Sequence, residues 1–182
     1  MSVGKLVQVD TFTVSSPVAS VIIGGGSSGS SSYNFAINTD DVYMLAVNNC
    51  IPETDNVPLL SRITKSGTAD STANYDYAFK ELNAVSAFNN YGASNQTYIT
   101  YGYLGTAGSE SFNGILYLYN FNSSSEYSFV TTETARRISN GNLYGYAGGY
   151  VHTVASASDG MQFYMSSGNI ASGSQFTLYK VL

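Results

Sequence analysis

Ile115-Leu116-Tyr117-Leu118-Tyr119 has the period of an extended chain, with Ile115, Tyr117 and Tyr119 on one face and Leu116 and Leu118 on the other. Both faces are apolar or aromatic, so the segment reads as a sandwich strand covered on both sides. The alternation returns near the end of the chain, where Phe176, Leu178 and Lys180 stand against Thr177, Tyr179 and Val181. Similar short runs of β-branched and aromatic residues, separated by Gly, Ser, Asn and Asp clusters, recur throughout. They predict strands near 5–14, 18–23, 33–38, 42–48, 59–65, 74–82, 96–104, 112–121, 126–133, 143–155, 161–166 and 175–182, with turns at 92–96 and 105–111. Residues 80–88 alone could hold one or two helical turns. Pro17, Pro52 and Pro58 fall at strand edges or loops, where a missing N–H does no harm. The expected fold is all-β, an antiparallel, jelly-roll-like β-sandwich with little or no helix.

The 182 residues suit a single domain, expected to span 1–182 with a flexible Gly/Ser loop at 24–32 (Gly24-Gly25-Gly26-Ser27-Ser28-Gly29-Ser30-Ser31-Ser32). Charge is scarce, at 10% of residues against about 25% in a typical soluble domain. Seven basic residues against twelve acidic ones leave no electrostatic footprint for a nucleic acid. No apolar run approaches the roughly 20 residues of a membrane-spanning helix. The opening segment Met1–Phe12 has no apolar signal core, and Cys50 is the lone cysteine, so synthesis and folding in a cytoplasm are expected.

Chemistry-bearing residues are few. His152, the only histidine, lies mid-strand in Val151-His152-Thr153-Val154; Gly25-Gly26-Ser27-Ser28-Gly29 matches G-x-S-x-G in letters, but no helical pattern follows it, so it reads as a Gly/Ser loop and not as a nucleophile elbow. Asp76 and Glu81 are the carboxylates to examine for glycoside hydrolysis, because they fall in a strand. Asp40–Asp41 and Glu53–Asn56 are the clusters to examine for calcium, although both read better as turns. No catalytic, cofactor-binding or metal-ligating residue is predicted. Sixteen tyrosines are the positive signal, since a tyrosine ring buries while its hydroxyl finds a partner. Tyr98, Tyr101, Tyr103, Tyr144, Tyr146 and Tyr150 form the candidate interface, with core filling as the competing use.

Three blocks carry a resemblance. Asp41-Val42-Tyr43-Met44-Leu45 through Pro52-Glu53-Thr54-Asp55 and Leu59-Leu60-Ser61-Arg62 is the first, and Asn74-Tyr75-Asp76-Tyr77-Ala78 the second. The third runs from Met161-Gln162-Phe163-Tyr164 through Ser167-Gly168-Asn169-Ile170-Ala171-Ser172-Gly173-Ser174-Gln175-Phe176-Thr177-Leu178-Tyr179-Lys180-Val181. Together they resemble small jelly-roll virion proteins of tailed phages of aquatic bacteria. Asn56 and Lys180 depart from that pattern at positions where glycine is common. The resemblance implies a non-enzymatic structural protein, a capsid decoration (cement) protein above all, or else a tail or head fibre with a carbohydrate- or host-binding role. Its implied partners are further copies in a homotrimer, the major capsid protein or other virion proteins, and host surface glycans. Its implied location is the virion.

Overall fold

The computed structural model describes residues 4–85, 88–138 and 140–182. The strands are β1 (Leu6–Thr13), β2 (Ser20–Gly24), β3 (Tyr43–Cys50), β4 (Val57–Lys65), β5 (Thr68–Ala69), β6 (Tyr75–Asn83), β7 (Asn89–Gln96), β8 (Ile99–Leu104), β9 (Phe112–Tyr119), β10 (Ser128–Arg137), β11 (Leu143–His152), β12 (Gly160–Met165) and β13 (Gln175–Val181). The only helical segment among the described residues is one 3-10 turn at Gly26–Ser28. Eight strands form a wide sheet in the order β1-β13-β3-β9-β10-β11-β6-β7. A narrower sheet runs β2-β12-β4-β5, with β8 also paired to β4. Neighbouring strands pair antiparallel throughout, and only the β4–β5, β6–β7, β9–β10 and β10–β11 connections stay within one sheet. The protein is an antiparallel all-β sandwich, as its alternating sequence predicts.

The alternation explains the packing. Leu116, Leu118, Phe176 and Leu178 of the wide sheet are fully buried, as are Leu59, Ile63, Met161 and Phe163 of the narrow one. The two layers meet where the Phe163 and Phe176 rings lie 5.2 Å apart. Each such side chain contributes about 1.5–3 kcal/mol by leaving water, so a contiguous core of this kind holds the sheets together without a disulfide. The three blocks of resemblance supply β3 and β4, the start of β6, and β12 with β13, which are spread over both sheets.

Four local expectations change. The run 33–38 forms no strand; Tyr33 is exposed, while Ile37 is buried with its N–H on the Asp159 carbonyl at 2.9 Å. Residues 92–96, expected as a turn, belong to edge strand β7, whose polar run Asn89-Asn90-Tyr91-Gly92-Ala93-Ser94-Asn95-Gln96 conceals it from a periodicity reading. That polarity suits an edge, because it discourages further strands from adding. The expected helical turns at 80–88 are displaced by β6, which continues to Asn83; residues 86 and 87 lie outside the described residues.

The Gly/Ser segment is the fourth. Its composition reads as a free linker, yet its backbone is tied down along its length. Ser30 Oγ accepts the Ile22 N–H at 2.7 Å, Gly25 N–H donates to the Asp159 carbonyl at 2.8 Å, and Gly26 N–H to the Phe35 carbonyl at 2.9 Å. The buried Asp10 carboxylate accepts from the Gly24 N–H at 2.8 Å and from the Ser31 hydroxyl. Glycine is required here by close approach: a Cβ on Gly67 would stand 2.3 Å from the Ser28 Cβ.

Candidate functional site

The two sheets differ in width, and a cleft forms where the wide one overhangs. β6 sends Tyr77, Phe79 and Glu81 inward, and β7 adds Tyr91. Beneath them β4 turns Leu59, Ser61 and Ile63 into the core and leaves Pro58, Leu60 and Arg62 on its far side, beside Tyr98, Thr100 of β8 and Tyr164 of β12. The space between these walls is about 600 Å³. Aromatic rings order its roof: Phe79 stacks on Tyr77 and on Tyr146, both at 5.3 Å between centroids, and Tyr91 tilts against Tyr146 at 5.8 Å.

Arg136 closes the inner end. Strand β10 alternates strictly, with Ser128, Val130, Thr132, Thr134 and Arg136 buried, so the strand period itself drives this cation inside. Its side chain is 4% exposed, and its guanidinium carbon lies 4.3 Å from the centre of the Tyr146 ring and 5.6 Å from that of Tyr144. Gly102 makes room for it, in a left-handed conformation (φ +83°), and a Cβ there would sit 2.3 Å from Arg136 Nη2. Glu81 Oε2 stands 3.5 Å from the same Nη2, a long contact for a charge-assisted pair. Arg136 Nε and Nη1 have no hydrogen-bond partner among the described residues, and neither does the buried Tyr164 hydroxyl. An unmet buried donor costs about 1–3 kcal/mol, and more on a charged group. Burial pushes the Tyr146 phenol up to about 12, with Arg136 opposing and Glu81 reinforcing the shift. The opposite wall carries a second cation, Arg62, which lies 4.8 Å over the Tyr164 ring and donates from Nε to the Thr97 carbonyl at 3.0 Å.

The six candidate tyrosines divide. Tyr98, Tyr103, Tyr144 and Tyr146 line the cleft, Tyr103 being 53% exposed and Tyr146 nearly buried. Tyr101 and Tyr150 are core residues: the Tyr101 and Ser61 hydroxyls share a 2.9 Å hydrogen bond, and Tyr150 Oη lies 3.5 Å from Met161 Sδ. Sequence reasoning missed Arg136, Arg62, Tyr77, Tyr91 and Tyr164 as members of one site. Tyr77 was legible as an inward strand residue; Arg136 lay beyond the predicted strand end.

The other chemistry-bearing residues are dispersed. Asp76 and Glu81 lie on opposite faces of β6, so they cannot flank one bond; Asp76 instead accepts the Asn95 N–H at 2.8 Å. Cys50 pairs with Phe112, which pairs with Arg136, whereas His152 pairs with Ser128 at the other end of β10. Eight residues separate those rows, roughly 27 Å at the strand rise. Burial also raises the Cys50 thiol to about 12, against the effect of Ser174. Asp41 pairs with Lys180 at 2.6 Å, Glu53 accepts from Asn169 at 2.9 Å, and Asp55 accepts the Thr106 N–H at 3.2 Å.

A second surface stands out on the outer side of the wide sheet. Ile115, Tyr117 and Phe129 are 44%, 38% and 46% exposed. Cross-strand pairing sets Tyr117 beside Met44 and Thr131, Phe129 beside Tyr119 and Val151, and Thr131 beside Gly149. The strand expected to be covered on both sides is therefore covered on one. No family model, curated protein or solved structure matches the chain.

Proposed function

We propose that the protein is a non-enzymatic structural component of a tailed-phage virion, a capsid decoration protein that binds the capsid surface as an oligomer. The observation that carries this reading is the bare outer face around Ile115, Tyr117 and Phe129, on strands whose sequence is patterned for burial on both sides. This sheet face is rich in aromatic, Ala and Gly positions, with Glu133 beside Ile115 and with Lys80 and Asp76 farther along the same rows, and its apolar part gains stability when a partner covers it. The low charge and the resemblance of the three blocks to phage virion proteins support the same reading. Closed symmetry suits repeated copies, and a homotrimer fits the three-fold positions of a capsid. The site is the particle, following assembly in a host cytoplasm. Mass spectrometry of purified particles of the encoding phage tests the proposal: hundreds of copies per particle are expected, and absence from particles rejects it.

A second reading, a tail or head fibre with a carbohydrate- or host-binding role, is favoured by the tyrosine cleft. Its copy number would be a few to tens per particle.

A further inference from the structure

We propose that the cleft binds an acidic saccharide, with a sugar carboxylate on the Arg136 guanidinium and the pyranose rings against the tyrosines. The inference deepens the glycan-binding reading and rests on it; it does not depend on which part of the particle the protein occupies.

Arg136 brings a planar, cationic set of donors into the buried end of the cleft. Glu81 engages only Nη2, at 3.5 Å, leaving Nε and Nη1 without acceptors among the described residues. An oxyanion entering the cleft supplies what they lack. The charge balance agrees: Arg62 and Arg136 line the cleft against Glu81 alone, a local +1 (two minus one) on a chain of net charge −5. A local positive balance favours an anion in the cleft.

The walls specify what else the anion carries. Tyr91 and Tyr103, both on the cleft wall, stand about half exposed, and the Tyr164 hydroxyl, without a partner among the described residues, adds a polar group. Rings of this kind match ligands that are apolar on their C–H faces and polar at their rims, which describes a pyranose. A volume of about 600 Å³ falls within the range of small-molecule sites, roughly 300–1,000 Å³, and leaves room for more than one sugar ring. A bare phosphate would use neither the tyrosine rings nor that volume.

Isothermal titration calorimetry on the purified chain is the test, with tetragalacturonate as the acidic probe and cellotetraose as the neutral one. Tetragalacturonate is expected to bind about tenfold or more tightly than cellotetraose, and to weaken as salt rises. Arg62→Gln and Tyr103→Ala, both on the cleft wall and not in the core, are expected to weaken it about fivefold or more with melting temperature unchanged. Arg136→Lys keeps the charge but loses the planar donor set, and about a tenfold loss is expected. If Arg136→Lys fails to fold, the Arg62 and Tyr103 variants decide. Tyr33→Ala, exposed and outside the cleft, is the control and should bind as the parent does. Absence of heat with tetragalacturonate overturns the inference, and so does wild-type binding by both wall variants. Equal or better binding of cellotetraose overturns the acidic specificity while leaving a glycan site; none of these results bears on whether the protein is found in particles.

Discussion

His152 has an ordinary structural explanation that also sets a pH dependence. Its ring is fully buried, 4.9 Å from Tyr75, with Nε2 at 3.1 Å from Asp70 Oδ2 and Nδ1 without a partner among the described residues. Burial holds the imidazole below its usual 6.5, the Lys65 charge adds to this, and Asp70 opposes both. The folded chain therefore carries a neutral ring, with Nε2–H donating to Asp70. Burial pushes the Asp70 carboxyl up, but hydrogen bonds from Thr72 and Lys65 outweigh it and hold the carboxyl well below the ordinary range. The unfolded chain binds the His152 proton more readily, so that contribution is complete above pH 6.5 and is lost as pH falls below it. A melting-temperature series should decline on acidification from pH 6.5, and His152→Gln should flatten that decline. Equal slopes in the two proteins would refute this role. Val151-His152-Thr153 already reads as a mid-strand histidine. Arg136 does not read so plainly: β10 turns Ser128, Thr132 and Thr134 inward and Phe129 outward, which inverts the usual polarity and hides which of Arg136 and Arg137 is buried.

At the scale of elements, β13 and the Gly/Ser loop behave differently from one another. β13 lies between β1 and β3, and its alternation was legible: Phe176 and Leu178 are fully buried, while Thr177 meets the Thr11 hydroxyl at 3.0 Å on the other face. Removing two such side chains costs roughly 2–5 kcal/mol each, comparable to a whole domain's stability of about 5–15 kcal/mol. A chain ending at Gly173 is expected to be insoluble or unable to assemble; soluble, cooperatively melting product would contradict the strand assignment. The loop was not legible, because glycine and serine carry no periodicity and their bonds are to residues distant in sequence. As a linker, residues 25–31 could be deleted at little cost. Their ties to Ile22, Phe35, Asp159 and buried Asp10 reverse that expectation. Deleting 25–31 leaves buried polar groups unmet at about 1–3 kcal/mol each, so thermal unfolding should show a loss of several degrees or more. An unchanged melting temperature would restore the linker reading.

For the whole molecule, the sandwich presents two unlike surfaces: a broad sheet face with exposed Ile115, Tyr117 and Phe129, and a cleft holding a buried cation. The first suits a lasting interface between proteins, the second a small ligand. Tyr117→Asp with Phe129→Asp separates attachment from folding. Both side chains are about two-fifths exposed in the single chain, so each substitution should cost about 1–2 kcal/mol and leave a folded, cooperatively melting protein, while attachment to particles is lost. Particles that retain the doubly substituted protein at normal copy number would show that this face is not the contact. The composition points to a charge-poor, tyrosine-rich sandwich; which face stays open depends on the relative widths of the two sheets, and no local pattern encodes that.

Cryo-electron microscopy of the intact particle tests the docking claim most directly. The account predicts density for this sandwich on the capsid surface, with Ile115, Tyr117 and Phe129 against a neighbouring chain and the mouth of the Arg136 cleft facing solvent. Density in which the β9–β10 face is bare, or particles that lack the sandwich altogether, would contradict it.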